Sequence, residues 1–187
     1  QVFVEGKEVN IHSPGDAIKQ GLGFLTEERR KSGFVPVFSI CHNLTLCMLD
    51  KLPGGALINK KSEDEIAQKI FDRLRVKAPS MRTQIINLSG GNQQKVVIGK
   101  WLSGKFKIIF FDQPTRGVDV GSKSEIYQVI RRLAEEKVSM IVASDEIEEL
   151  LDLCDRILVM KKGEIVHEFT NNEIHLTKTD ILSKMVN

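Results

Sequence analysis

The sequence predicts an α/β fold in which a buried parallel sheet carries a helical subdomain. Three observations lead there. Phe106–Phe111 is an apolar run of β-branched and aromatic residues broken only by Lys107, the composition of a strand covered on both faces. Val138–Ala143 is a second such run. Helical periodicity lies between and before them, with Ile126, Val129, Ile130, Leu133 and Ala134 on one stripe and Ile66, Ile70, Phe71 and Leu74 on another.

In order along the chain, Gln1–Val4 and Glu8–Ile11 read as two short strands around Glu5-Gly6-Lys7, a hairpin. Ser13-Pro14 opens a short helix, with serine as cap and proline at the first helical position, and the helix ends near Gly21. Gly23–Arg30 is a strand running into a charged loop, which by itself reads as a solvated charge cluster. Phe34–Leu52 is mixed and ends in a Pro53-Gly54-Gly55 turn. Ser62–Glu65 and Ser122–Glu125 both have the spacing of capping boxes. Arg156–Met160 and Glu164–Phe169 flank Lys161-Lys162-Gly163 as a hairpin, and Thr179–Val186 forms a closing helix.

The length of 187 residues suffices for one domain, or a domain with a small subdomain. A hydrophobic content of 41% with 28% charged residues is that of an ordinary globular protein, and a net charge of +2 gives no reason to expect nucleic acid. No run approaches the roughly 18 apolar residues of a membrane span, and the N-terminus has no signal-peptide pattern. A chain opening on Gln1 is expected to be a cut or processed product. Cys41, Cys47 and Cys154 are odd in number and lack CxxC spacing, which predicts reduced thiols in a cytosolic protein and no zinc site. His12, His42, His167 and His175 have no ligand spacing.

The most informative stretch is Asn87-Leu88-Ser89-Gly90-Gly91-Asn92-Gln93-Gln94-Lys95. It reads as a loop entering a helix, with Ser89 as cap, glycines at the first helical positions, and Val96, Val97, Ile98, Trp101 and Leu102 on an apolar side. Bare N–H groups at such a start, beside a serine hydroxyl, suit an anion, phosphate above all. The plain alternative is a capped helix behind a Gly-Gly turn.

This stretch resembles the signature sequence of ATP-binding cassette (ABC) ATPases, in the form found in importers of monosaccharides such as ribose, xylose and galactose. Asp112-Gln113-Pro114-Thr115-Arg116-Gly117-Val118-Asp119-Val120-Gly121 follows a hydrophobic strand where that family has its Walker B segment and D-loop. Together the two motifs are similar to the second of two fused cassettes. The resemblance implies a P-loop NTPase (ABC ATPase) fold, truncated before Gln1 and so lacking its N-terminal strands and phosphate loop. It divides the chain into a partial core with the Q-loop (1–36), a helical subdomain with the signature motif (37–104), and core with Walker B, D-loop and switch region (105–187).

The resemblance also implies roles. Ser89, Gly90, Gly91, Asn92 and Gln93 would bind ATP across a cassette dimer, with Asp119 at the D-loop aspartate passing between cassettes. Asp112 would serve Mg²⁺, directly or through water. Glu27 stands at the Q-loop glutamine position, where a carboxylate still offers oxygen to Mg²⁺. Gln113 occupies the position of the general-base glutamate, and a side-chain amide takes no proton at useful pH. Asp145 falls at the switch-histidine position next to Ser144, where a carboxylate repels a γ-phosphate.

No GxxxxGK[ST] occurs in the sequence, so the cradle for the β- and γ-phosphates is missing. The expectation is a nucleotide-binding-domain fragment of an ATP-driven sugar importer, inactive alone, peripheral on the inner face of the cell membrane. Its partners would be the other nucleotide-binding domain and the transmembrane permease subunits. The rival is a non-catalytic regulatory or dimerisation module derived from an ABC ATPase. A cassette of a soluble machine is a weaker rival, because no coiled-coil insertion or charged linker is visible.

Overall fold

The computed structural model describes residues 1–52, 58–104, 106–170 and 176–186. The expected Pro53-Gly54-Gly55 turn and His175 lie outside them. The chain forms two compact units, Gln1–Ile141 and Val142–Asn187.

In the first unit, β1 (Phe3–Val4) and β2 (Lys7–Glu8) pair antiparallel. Glu5 and Gly6 both have positive φ, 52° and 75°, the two-residue hairpin geometry that follows the natural twist of the strands. The paired register covers Phe3↔Glu8 and Val4↔Lys7, and the Val9 N–H donates to the Val2 carbonyl just beyond it at 2.9 Å. Helix α1 (Pro14–Lys19) starts as expected, with Ser13 Oγ accepting from the Asp16 N–H at 3.2 Å.

Strand β3 (Leu22–Leu25) runs parallel to β4 (Ile108–Asp112) in the register Leu22↔Ile108 to Leu25↔Phe111, and β5 (Ser139–Ala143) lies on the far side of β4. The chain therefore has the α/β architecture its apolar runs predict. Ile109 and Phe111 are buried, while Ile108 and Phe110 on the opposite face are half-covered. β5 departs from the expectation of a buried strand: Ser139, Ile141 and Ala143 are exposed, Ile141 by 56%. Among the described residues it has one neighbouring strand, β4, and apolar composition alone does not distinguish an edge from a centre.

Helix α2 (Ile40–Thr45) is capped by Ser39. Helix α3 (Lys60–Arg73) starts three residues before the expected capping box. Asn59 is its cap, and its side chain accepts from the N–H groups of Lys61 and Ser62. Helix α5 (Val120–Glu135) repeats the correction, with Asp119 and not Ser122 as cap. Its core stripe is Ile126, Val129, Ile130 and Leu133, and Ala134 is exposed.

Helix α4 (Gly90–Leu102) sits in the middle of these helices and is buried from Gln93 through Trp101. It has no solvent face, so the expected apolar side is only part of its packing. Gly99 lets its neighbours close in: a Cβ there would lie 2.6 Å from Leu44 Cδ2 and 2.7 Å from Leu74 Cδ1. The buried amide nitrogens and ammonium groups of α4 find internal acceptors, whereas Gln93 Oε1, Gln94 Oε1 and Trp101 Nε1 are buried without a partner. Lys100 Nζ donates to the Gly33 carbonyl at 2.8 Å, and Lys95 Nζ donates to the Arg75 carbonyl at 3.1 Å.

The second unit holds α6 (Ile147–Leu153), the antiparallel hairpin of β6 (Arg156–Lys161) and β7 (Glu164–Thr170), and α7 (Lys178–Val186). Lys162 and Gly163 turn the hairpin with φ of 50° and 85°. Ile147, Ile157, Val159, Phe169 and Ile181 form its core. Among the described residues no helix is long and apolar enough to cross a membrane.

Candidate functional site

The loop ahead of α4 builds one half of the site. A 3₁₀ turn over Ile85–Asn87 leads into Ser89, whose extended backbone (φ −60°, ψ 156°) takes the N-cap position. Its hydroxyl makes no capping bond to the helix. Instead Ser89 Oγ accepts from Asn92 Nδ2 at 2.9 Å, while Asn92 Oδ1 accepts from the Lys77 N–H at 2.7 Å. The Lys77 donor fixes which end of the amide faces which way. With one lone pair of Ser89 Oγ engaged, its proton is left to donate outward from an exposed residue.

The leading N–H groups of a helix have no acceptor in their own helix, and those of Gly90, Gly91 and Asn92 open α4 without a side-chain cap. The first backbone bond is Gln93 N–H to the Ser89 carbonyl at 2.9 Å. An uncapped helix start with an outward hydroxyl fits a phosphate oxygen. The glycines are demanded from inside as well. A Cβ on Gly90 would lie 2.7 Å from Arg29 Nη2, and one on Gly91 would lie 2.5 Å from Ser122 Cβ. Gln93 differs from the other loop residues. It is fully buried, and its Nε2 is spent on the carbonyls of Ile85, Ile86 and Leu88, so its side chain braces the loop from beneath.

The other half follows β4. Asp112 ends the strand, half-buried at the carboxyl edge of the parallel sheet, where open α/β sheets bind ligands. Gln113 comes next with φ of 51°, a left-handed conformation that costs a residue with a Cβ about 1 kcal/mol. The turn beyond it is tied down at three points. Gln94 Nε2 donates to the Pro114 carbonyl at 2.6 Å. Arg29 donates from Nη1 to the Arg116 carbonyl at 2.7 Å and from Nη2 to the Gly117 carbonyl at 2.9 Å. Glu27 forms an ion pair with Arg116.

The β3–β4 register, ending at Leu25↔Phe111, directs the residues after Leu25 toward the end of β4, and the Glu27 carboxylate there is engaged by Arg116. Among the described residues no three His, Cys, Asp or Glu side chains gather to hold a metal. Asp112 and Glu27 suit Mg²⁺ only in the manner in which one or two carboxylates complete a shell of phosphate oxygens and waters.

Asp119 is exposed and caps α5: Oδ1 accepts from the Ser122 N–H at 2.9 Å and Oδ2 from the Ser122 hydroxyl at 2.8 Å. The Ser122 hydroxyl, followed by its N–H, holds the Asp119 carboxyl below the usual carboxylate range. Asp145 belongs to the second unit, exposed in the loop between β5 and α6.

Sequence reasoning passed over Arg29, Gln94 and Glu125. Lys95 Nζ lies 2.7 Å and Lys77 Nζ 3.0 Å from the Glu125 carboxylate, tying α4 and the Lys77 segment to α5. Lys95 and then Lys77 hold the Glu125 carboxyl below its ordinary value. Arg29 sits in a run of five charges, Glu27–Lys31, that reads as solvated, and nothing in the run marks it as the one turned inward.

The sequence matches the ABC transporter family over residues 1–116. It is 45% identical to the ribose import ATP-binding protein of Hahella chejuensis, over 89% of this chain and 33% of that protein. It is 42% identical to the arabinose import ATP-binding protein of Pectobacterium atrosepticum, over 98% of this chain and 36% of that protein. The chain thus spans about a third of the length of these curated relatives. Two solved structures share the fold at 22% identity. One is a nucleotide-free ATP-binding cassette from an ABC transporter, with a TM-score of 0.75 over 97% of this chain and 72% of that one. The other is a dimeric ATP-binding cassette in a post-hydrolysis state with ADP and phosphate, with a TM-score of 0.74 over 92% of this chain and 73% of that one.

Proposed function

Because the chain belongs to the ABC transporter family and has the α/β P-loop NTPase fold of its cassettes, we propose that it is a nucleotide-binding-domain segment of an ATP-driven monosaccharide importer, and that it donates its signature loop to the ATP site of a partner cassette. The observation that carries this reading is the uncapped start of α4 beneath an outward Ser89 hydroxyl held by Asn92. The names of the relatives, importers of ribose and arabinose, support the substrate class.

Ser89, Gly90, Gly91 and Asn92 would present their hydroxyl and N–H groups to the terminal phosphate of ATP held by the partner, stabilising negative charge with donors already in place. Gln93 would keep that loop in shape. Asp112 would hold Mg²⁺ directly or through water, with Glu27 nearby, and the ion would offset phosphate charge. Asp119 would lie at the surface passing between cassettes. The segments 1–36, 37–104 and 105–187 would serve as partial core, helical subdomain and remaining core. The partners would be the second nucleotide-binding domain and the transmembrane permease subunits, with the chain peripheral on the cytoplasmic face of the membrane.

Alone, the chain would not turn over ATP. Its residues include no GxxxxGK[ST], Gln113 accepts no proton, and Asp145 at the switch position repels phosphate. The Glu27–Arg116 ion pair favours the second reading, a regulatory or dimerisation module, because it occupies a carboxylate that nucleotide chemistry would use.

The test is ATP hydrolysis by the first cassette of such an importer with and without this chain. Loss of a set of preorganised donors is expected to lower the rate about 10²-fold or more. Ser89→Arg is expected to abolish the stimulation while leaving association intact. A stimulated rate that Ser89→Arg does not change overturns the donated-loop reading and favours a dimerisation module.

A further inference from the structure

The clasp formed by Arg29 reaches beyond the turn it bonds. Its two terminal nitrogens donate to consecutive carbonyls, Arg116 at 2.7 Å and Gly117 at 2.9 Å, so the guanidinium plane is fixed as a fork. The signature loop packs close to the same group: a Cβ on Gly90 would stand 2.7 Å from Nη2 and 3.1 Å from the Gly117 carbonyl. Gly90, Arg29 and Gly117 therefore form one packed stack drawn from three separate stretches of chain. No carboxylate among the described residues pairs with Arg29, and its Nε is buried without a partner. Burial, followed by the neighbouring charge of Arg30, disfavours its protonated form.

We propose that Arg29 is a positioning residue that locks the signature loop at Gly90 to the Gln113–Gly117 turn, so that the two ends of the site in this chain move as one body. This deepens the reading above and rests on it for its functional meaning. In a head-to-tail pair the signature loop would face one ATP and the Asp112–Gln113 end the other. A lock between them would make each site sense the closure of the other.

The test uses this chain with Arg29→Met, which keeps length and removes the fork, and Arg29→Lys, which keeps charge and one donor. Hydrogen–deuterium exchange is followed in the segments 86–92 and 113–119. In Arg29→Met, exchange is expected to speed up about 10-fold or more in both segments together, the scale of losing two charge-assisted hydrogen bonds. Exchange in α3 and in the second unit should not change. Arg29→Lys should give an intermediate rise in both segments.

Faster exchange in 113–119 with 86–92 unchanged would reduce Arg29 to a local clasp and overturn the lock, as would no change in either segment. If Arg29→Met does not fold, Arg29→Lys decides by the same criterion. With the partner cassette present, Arg29→Lys is expected to lower kcat while KM for ATP stays within about twofold, because a looser lock misplaces groups that matter in the transition state more than groups that bind ATP in the ground state. The Ser89→Arg control separates the two ideas: stimulation unaffected by Ser89→Arg sinks the functional reading, whereas the exchange data judge the lock independently of it.

Discussion

Lys95 and Glu125 form an ion pair of 2.7 Å in which the lysine side chain is 4% exposed and the carboxylate 39%. The lysine is the captive partner. It comes from α4, its remaining bond is to the Arg75 carbonyl, and removal of Glu125 would leave its charge enclosed and underpaired. Glu125→Gln is therefore expected to destabilise the first unit by about 1–3 kcal/mol, less than for a fully buried pair because the carboxylate is partly screened. Urea unfolding at neutral pH measures it.

The same pair sets a pH dependence. The Glu125 carboxyl is held below its ordinary value by Lys95 and then Lys77. A depressed folded value means the contribution is present above the unfolded value of about 4.3 and is lost as pH falls through the lower folded value. Wild type and Glu125→Gln should differ by a constant amount above the unfolded value and converge as the pH falls through the lower folded value. Equal separation across the whole range would show that the pair is not the source.

Asn92 joins Ser89 to Lys77 through two hydrogen bonds. Asn92→Ala should release the Ser89 hydroxyl and lower stimulation of a partner cassette about 5–10-fold, the value of one or two hydrogen bonds. Ser89→Ala should have an effect of similar size, and the double variant should fall short of the product of the two, because both act through one donor. Strict multiplicativity in a double-mutant cycle would deny Asn92 its orienting role.

Gln113→Glu restores a proton acceptor at the end of β4 but adds no phosphate cradle. The isolated variant is expected to remain without measurable ATP turnover, although a general base is commonly worth about 10²–10⁴-fold. Turnover by Gln113→Glu alone, assayed by phosphate release, would mean that these residues hold nucleotide without a GxxxxGK[ST] loop.

The thiols should be sluggish. Burial, helped by the Asp64 carboxylate that Cys41 Sγ contacts at 3.4 Å, pushes the Cys41 thiol up to about 12. Burial, with Asp155 and Glu149, pushes Cys154 to about 11. Because the thiolate is the reactive form, both should react with an aromatic disulfide reagent at pH 8 only after urea unfolding. Prompt labelling of either in the folded protein would contradict this.

These features were unequally legible in the sequence. The strand ending at Asp112 and the hairpin turning at Lys162-Gly163 could be read directly, because continuous apolar runs and paired turn residues are local signals. The helix starts at Asn59 and Asp119 were displaced because each stands three residues ahead of a serine that is itself a plausible cap, and local pattern does not rank competing caps. Gln93, Gln94, Lys95 and Lys100 look like the wet side of α4. They are buried because their acceptors lie on other elements, as Pro114 and Gly33 do for Gln94 and Lys100. A one-dimensional periodicity has no access to such distant partners. Arg29 was hidden for the same reason, with acceptors 87 and 88 residues away.

The enclosure of α4 has a mechanical corollary. Four of its polar side chains are moored at separate places: Gln93 under the preceding loop, Gln94 at Pro114, Lys95 at Arg75 and Glu125, and Lys100 at Gly33. To slide by one residue or roll by part of a turn, the helix would have to break all four moorings together. It therefore behaves as a stiff spindle with no gradual travel. The loop at its head and the Gly33 end are thus joined by one helix anchored along its length.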